Sequence, residues 1–211
     1  AHDLITTKVQ QDKTENPVKT RESDVSWEYL VSLENKLEQA NIKGDERLLF
    51  HLYISPSIGF VPRNDYVDMK LVDKIKDTEN TEYNYYCREN NMIIFNQYKT
   101  NKRYGAIKQV ISPELAKHIP TDQTFMFEKS KGVALNDNSM SKKITRCFTR
   151  LAGGKNITLV VIRRAFATYI KDLPEGERRT TAHQMGHNLS TNTTYSHKLP
   201  KGVCLINVSE E

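Results

Sequence analysis

Five residues between positions 63 and 195 have side chains suited to phosphate chemistry. In VIRRAFATYI, residues 161–170, an arginine pair interrupts an apolar helical pattern, and Arg163 shares a face with Ile162, Phe166 and Ile170. A guanidinium in such a position needs an anionic partner. That partner is either an internal carboxylate or a bound phosphate, whose oxygens a planar guanidinium takes in pairs. Arg63, in VPRNDY, offers a second guanidinium from a distant part of the chain, with Asp65 close enough in sequence to orient it. Two such groups on one phosphodiester would neutralise it and stabilise the charge that builds up during in-line displacement. Lys99, in QYKTNKRYG, sits where a strand is expected to turn over; its ammonium can protonate a departing alkoxide, and Lys102 competes for that role. Near the end, HQMGHNLSTNTTYSHKL places His187 eight residues before Tyr195, with a polar run of small residues between them. A tyrosine ionises near pH 10, so as a nucleophile it needs neighbouring cations to stabilise its phenolate.

These groups must be held by a folded domain, and the chain has the means to build one. Of 211 residues, 37% are hydrophobic and 27% charged, which suits one globular domain. No stretch approaches a bilayer-spanning run of about 18 apolar residues, and no membrane partner is expected. Cys87, Cys147 and Cys204 are widely spaced, without a CxxC pair, and read as ordinary thiols of an intracellular protein; no metal and no cofactor are expected. The net charge of +5 is unevenly spread. Between Gln97 and Arg164 there are 14 Lys/Arg against 4 Asp/Glu, as expected for a face that binds a polyanion. Lys102, Arg103, Lys142, Lys143, Arg146 and Arg164 are its candidate contacts to such a polyanion.

The periodicity predicts mostly helix around one small sheet. Residues 1–25 are polar and aperiodic and read as a linker or tail; a chain opening on Ala rather than Met is expected to continue a longer polypeptide. Ser26 can cap a helix carrying Trp27, Leu30, Val31, Leu37 and Ala40, ending before Gly44. RLLFHLYIS, 47–55, suits a buried helix stopped by Pro56, and Arg63 precedes another expected helix. EYNYYCRE, MIIFNQYK and RYGAIKQVI read as a three-stranded antiparallel meander, with a tight hairpin turn at Thr100-Asn101-Lys102. SPELAKHI, 139–152, LVVIRRAFATYI and GERRTTAHQMGH read as further helices, with FMF as a buried hook between the first two.

In this order and spacing, Arg63, Lys99, Arg163 in IRRAFAT, His187 in MGH and Tyr195 in TTYSH resemble the catalytic domain of the tyrosine recombinase, or phage-type integrase, superfamily. The resemblance covers about residues 45–199, and PRNDYVDMKL is most similar to integrase-like proteins of large DNA viruses, virophages and related mobile elements. It implies an α+β catalytic domain over 26–211 and a site-specific recombinase that cleaves DNA through a 3′-phosphotyrosine at Tyr195. Arg63 and Arg163 would clamp the phosphate, with His187 as hydrogen-bonding partner and Lys99 as acid. Double-stranded DNA is the implied partner, with self-association through a C-terminal arm at about 196–211. A type IB topoisomerase-like enzyme and a non-catalytic DNA-binding module remain the alternatives. The sequence departs from the pattern in three places. Val160 stands where the superfamily's H-x-x-R begins, which brings His197 forward as an accessory group. The His187-to-Tyr195 interval is one residue shorter than the common one. The acidic partner of the first arginine is Asp65, two residues on rather than three, or else Asp68.

Overall fold

The computed structural model describes residues 25–185. Nearly all of the expected linker, His187, Tyr195, His197, Cys204 and the expected C-terminal arm lie outside that range. Within it the chain is a mixed α+β fold, with its helices packed around one hydrophobic core and a sheet along one side.

The first helix, α1 (Trp27–Ser32), starts where Ser26 accepts a hydrogen bond from the Tyr29 N–H at 3.1 Å. It is shorter than the sequence suggested. The chain tightens into a 3₁₀ turn at Leu33–Lys36 and ends at Asn41, which takes a left-handed φ of 49°. Helix α2 (Gly44–Ile54) buries Leu48, Leu49, Phe50, Leu52, Tyr53 and Ile54. Ser55 is already extended, as a residue before proline prefers.

The expected helix after Arg63 does not form. Asp65 accepts the backbone N–H of Arg63 at 2.7 Å, a local side-chain bond that competes with helix formation, and residues 65–68 make a turn instead. The turn leads into a strand that the periodicity missed, β1 (Lys70–Val72). Three residues are too few to show a period. The strand exists because its backbone has partners on both sides: Lys70 N–H donates to Asn84 O, and Leu71 N–H to Thr124 O.

The sheet therefore has four strands rather than three, in the order β1–β2–β3–β4, with β2 (Tyr85–Cys87), β3 (Met92–Phe95) and β4 (Ile107–Val110). Strand β1 runs parallel to β2, so only the β2–β3–β4 part is the antiparallel meander. Nor is the β3–β4 connection a tight turn. It spans residues 96–106, carries a helical turn, α3 (Asn101–Tyr104), and reverses at Gly105 with φ 73°.

The remaining helices follow the sequence closely; a second, two-stranded sheet was not expected. Ser112 caps α4 (Pro113–Ala116), and Met126 and Phe127 are fully buried. A small hairpin, β5 (Glu128–Ser130) with β6 (Val133–Ala134), precedes α5 (Asp137–Leu151). Asn136 caps α5, and Met140, Ile144, Cys147, Phe148 and Leu151 form its buried stripe. Gly153 and Gly154, with φ of 67° and 97°, end it as expected. Thr158 caps α6 (Leu159–Tyr169), which is followed by α7 (Glu175–Gln184).

Aromatic contacts run through the core from helix to sheet. Phe50 meets Phe148 at 5.4 Å; Tyr53 meets Tyr66 at 5.7 Å; and Tyr66 meets Phe95 of β3 at 5.4 Å. Beside this core, His51 stacks on His118 at 4.5 Å. Burial, and then the charges of His118 and Arg47, depress His51 from 6.5 to about 4. Between those two pH values the unfolded chain binds a proton that the folded one does not. Stability measured by urea unfolding is expected to fall as pH drops from 6.5 to 4, and His51→Phe is expected to flatten that slope.

Candidate active site

Arg63, Asp65 and Arg163, a hundred residues apart in sequence at their extremes, line one cleft of about 840 Å³. The Arg63 loop forms one wall, and the start of α6, with Thr158, Val160 and Arg163, forms another. Asn84 and Gln97 close the sheet side; Ser141 and Thr145 of α5 close the helix side.

Arg163 is only 5% exposed. Its guanidinium donates from one terminal nitrogen to the carbonyl of Val61, and from the other to the carbonyl of Met185 at 2.6 Å. The sequence offered a carboxylate or a phosphate as its partner. Two backbone carbonyls are a third kind of partner, and no residue type announces them. These bonds join α6 both to the strand of chain that carries Arg63 and to the residue just beyond α7. Arg164, the next residue on α6, is half-buried.

Arg63 is placed by its backbone. Its N–H is held by Asp65, and its carbonyl accepts the hydroxyl of buried Tyr53 at 2.5 Å. Its Nε is buried and meets no hydrogen-bond acceptor among the described residues. Burial pushes the Asp65 carboxyl above its ordinary range; the Arg63 N–H and the charges of Arg163 and Arg63 pull against that rise. Asp68 is exposed and also lines the cleft.

Lys99, Lys102 and Arg103 are exposed in the β3–β4 connection. Lys99 follows Gln97, which lines the cleft, by two residues. Tyr98 closes this loop by donating to Gly105 O at 2.7 Å, and Tyr104 stacks on His183 of α7 at 4.4 Å. On α5, Lys142 is exposed, while Lys143 pairs with Asp45 at 2.5 Å and Arg146 with Glu46 at 2.9 Å. Those two cations thus help dock α5 on α2, a role invisible until the helices are packed. Val160 is 51% exposed at the mouth of the cleft, one turn before Arg163.

Sequence reasoning missed the neutral residues of the site. Asn84, 2% exposed, is the main one, and its only sequence signal is an amide inside a run of aromatic strand residues. No group of three or more His, Cys, Asp or Glu among the described residues is arranged to hold a metal ion. No helix among them is long and apolar enough to cross a membrane.

This α+β fold, with its sheet on one side of an arginine-lined cleft, is similar to that of a recombinase. The solved structure of XerA recombinase matches it with a TM-score of 0.54 at 16% sequence identity, over 88% of this chain. The chain spans 62% of that recombinase chain, and at this identity the likeness is one of fold. No family model and no curated protein matches the sequence.

Because Arg163 joins three segments, its loss should be felt in stability as well as in the cleft. Arg163→Ala is expected to cost about 2–4 kcal/mol in chemical denaturation, since charged hydrogen bonds contribute roughly 1.5–3 kcal/mol each. Arg163→Lys should recover only part of this, because one ammonium cannot span both carbonyls.

Proposed function

We propose that this chain is the catalytic domain of a DNA strand-transfer enzyme, which cleaves and rejoins DNA through a covalent 3′-phosphotyrosine at Tyr195. The observation that carries this reading is the meeting of Arg63 and Arg163 in one cleft, on a fold similar to a recombinase. Two guanidiniums with a half-buried carboxylate near both suit a phosphodiester, whose non-bridging oxygens they would share.

The reaction follows from the groups and their order in the chain. The Tyr195 oxygen attacks the scissile phosphorus in line, and the bond to the 5′-oxygen breaks. Lys99 gives its proton to that oxygen, releasing a 5′-hydroxyl. The new phosphotyrosine conserves the bond energy, so the 5′-hydroxyl of another strand can attack it and complete recombination. His187 donates to the phosphate. With apolar Val160 at the cleft mouth, the imidazole or ammonium that usually opens H-x-x-R is absent there, so more of the proton handling falls to His187 and His197. Duplex DNA is the partner. Lys102, Arg103 and Lys142 are exposed to meet its phosphates, and copies of the chain associate on it through the C-terminal arm.

A nicked suicide substrate tests the chemistry. Incubated with the wild-type chain, it is expected to leave a covalent protein–DNA adduct that survives denaturing electrophoresis, and none with Tyr195→Phe. An adduct retained by Tyr195→Phe would remove Tyr195 as nucleophile. No adduct from wild type on any DNA would leave a binding module. Relaxation of supercoiled plasmid without exchange between two DNAs would make the enzyme a topoisomerase. The electrostatic contacts are read separately: log affinity against log salt should lose about two units of slope in Lys102→Ala/Arg103→Ala, roughly one per phosphate contact.

A further inference from the structure

Asn84 joins the two halves of the cleft that carry Arg63 and Lys99. The residue lies just before β2 and is almost wholly buried, a costly place for an amide unless every polar atom is satisfied. All of them are. Its Nδ2 donates to Asp65 O at 2.8 Å and to Gln97 O at 2.9 Å, and its Oδ1 accepts the Gln97 N–H at 2.7 Å. Two carbonyls and one N–H around the amide leave a single orientation that fits. Its own carbonyl takes the Lys70 N–H at 2.8 Å. One side chain thus holds the loop that places Arg63 and both backbone polar groups of Gln97, two residues before Lys99.

Neighbouring bonds tighten the same junction. Asn96 donates to Tyr83 O at 2.9 Å, and the Gln97 side chain donates to Thr81 O at 2.7 Å. Asn101 donates to Asn96 O at 2.7 Å and to the Gln97 side-chain oxygen at 3.2 Å. The long β3–β4 connection is therefore fastened at its base. A lysine on a long, exposed connection has many positions open to it; a general acid needs one, within hydrogen-bond reach of the leaving oxygen.

We propose that Asn84 is a positioning residue, which sets the Lys99 ammonium relative to the Arg63 clamp so that the proton reaches the 5′-oxygen as the phosphorus–oxygen bond breaks. This rests on the strand-transfer reading. Asn84 touches no substrate; it acts through the backbone of Gln97. Its contribution therefore lies in the protonation of the leaving group, and a substrate that needs no such proton bypasses it. A 5′-bridging phosphorothiolate is that substrate. Its leaving group is a thiolate, whose conjugate acid ionises at about pH 8.5, so it departs without an acid's help.

Cleavage rates of matched nicked substrates, one with bridging oxygen and one with bridging sulfur, are compared for wild type, Lys99→Ala, Asn84→Ala and Gln97→Ala. On oxygen, Asn84→Ala is expected to fall about ten- to hundredfold, a fraction of what general acids supply. On sulfur it should stay within about threefold of wild type, as should Lys99→Ala. DNA affinity by fluorescence anisotropy should be unchanged. The sulfur-to-oxygen ratio is taken within each variant, so a reduced folded fraction cancels. Gln97→Ala, which loses the exposed side-chain bonds to Thr81 and Asn101 but keeps the backbone groups that Asn84 holds, keeps the fold and should show a smaller loss with the same restoration. Equal losses of Asn84→Ala on both substrates would overturn this proposal while leaving the enzyme a strand transferase. So would a Lys99→Ala that sulfur fails to restore, since no acid would then be there to position. Absence of an adduct from wild type with either substrate would instead defeat the strand-transfer reading, and this proposal with it.

Discussion

Everything in the cleft depends on where the Arg163 guanidinium sends its hydrogen bonds. Buried on α6, it reaches Val61 O on one side and Met185 O on the other. Val61 is two residues before Arg63, and Met185 is two residues before His187. One planar group thus joins the helix it sits on, the loop that presents the first arginine, and the chain leading into the proposed nucleophile segment. A lysine could make one of these joins. The fixed fork of a guanidinium makes both.

The joins close into a ring. Arg163 leads to Val61 and so to Arg63 and Asp65. Asp65 leads through the Asn84 amide to Gln97; the chain runs on through Lys99, with Tyr98 bonded to Gly105 O, to Tyr104, which stacks on His183. Helix α7 returns the path to Met185 and Arg163. The links between segments are side chains bonded to backbone, or ring on ring; within each segment the chain itself carries the path. Moving any one segment strains two others, which suits the proposed site, whose groups would come from four separate parts of the chain.

The sequence made some of this legible and hid the rest for physical reasons. Arg63 and Arg163 could be found because a guanidinium in an apolar or Pro-bounded setting is a rare, costly residue. The helices α2, α5 and α6 could be found because burial imposes a period over eleven or more residues, with Pro56 and Gly153-Gly154 marking ends. Strand β1 could not: it is three residues long and is defined by partners at Asn84 and Thr124. The β3–β4 connection was misjudged because Thr100-Asn101-Lys102 has turn composition, and nothing local says that Asn101 will open a helical turn and fasten its side chain back to Asn96 O instead. Asn84 was invisible for the deepest reason. Its importance lies wholly in which carbonyls surround it, and those come from residues 65 and 97.

That distinction also divides the charged groups by role. The pairs Lys143–Asp45, Arg146–Glu46 and Arg150–Glu46 lie between α2 and α5, where two helix surfaces meet. Exposed pairs of this kind contribute little and weaken with salt. The bonds that set Arg63, Arg163 and the base of the Lys99 loop in place involve backbone carbonyls and N–H groups and are buried or part-buried, where screening is weaker. A protein that meets a polyanion experiences large local changes in counterion density. On the strand-transfer reading, placing the proposed reacting groups with amide and carbonyl contacts, and leaving surface cations to meet the phosphates, would keep the geometry of the cleft independent of the binding event that fills it. Val160 fits the same division: an apolar side chain at the mouth would neither compete for the proposed phosphate nor change charge beside it.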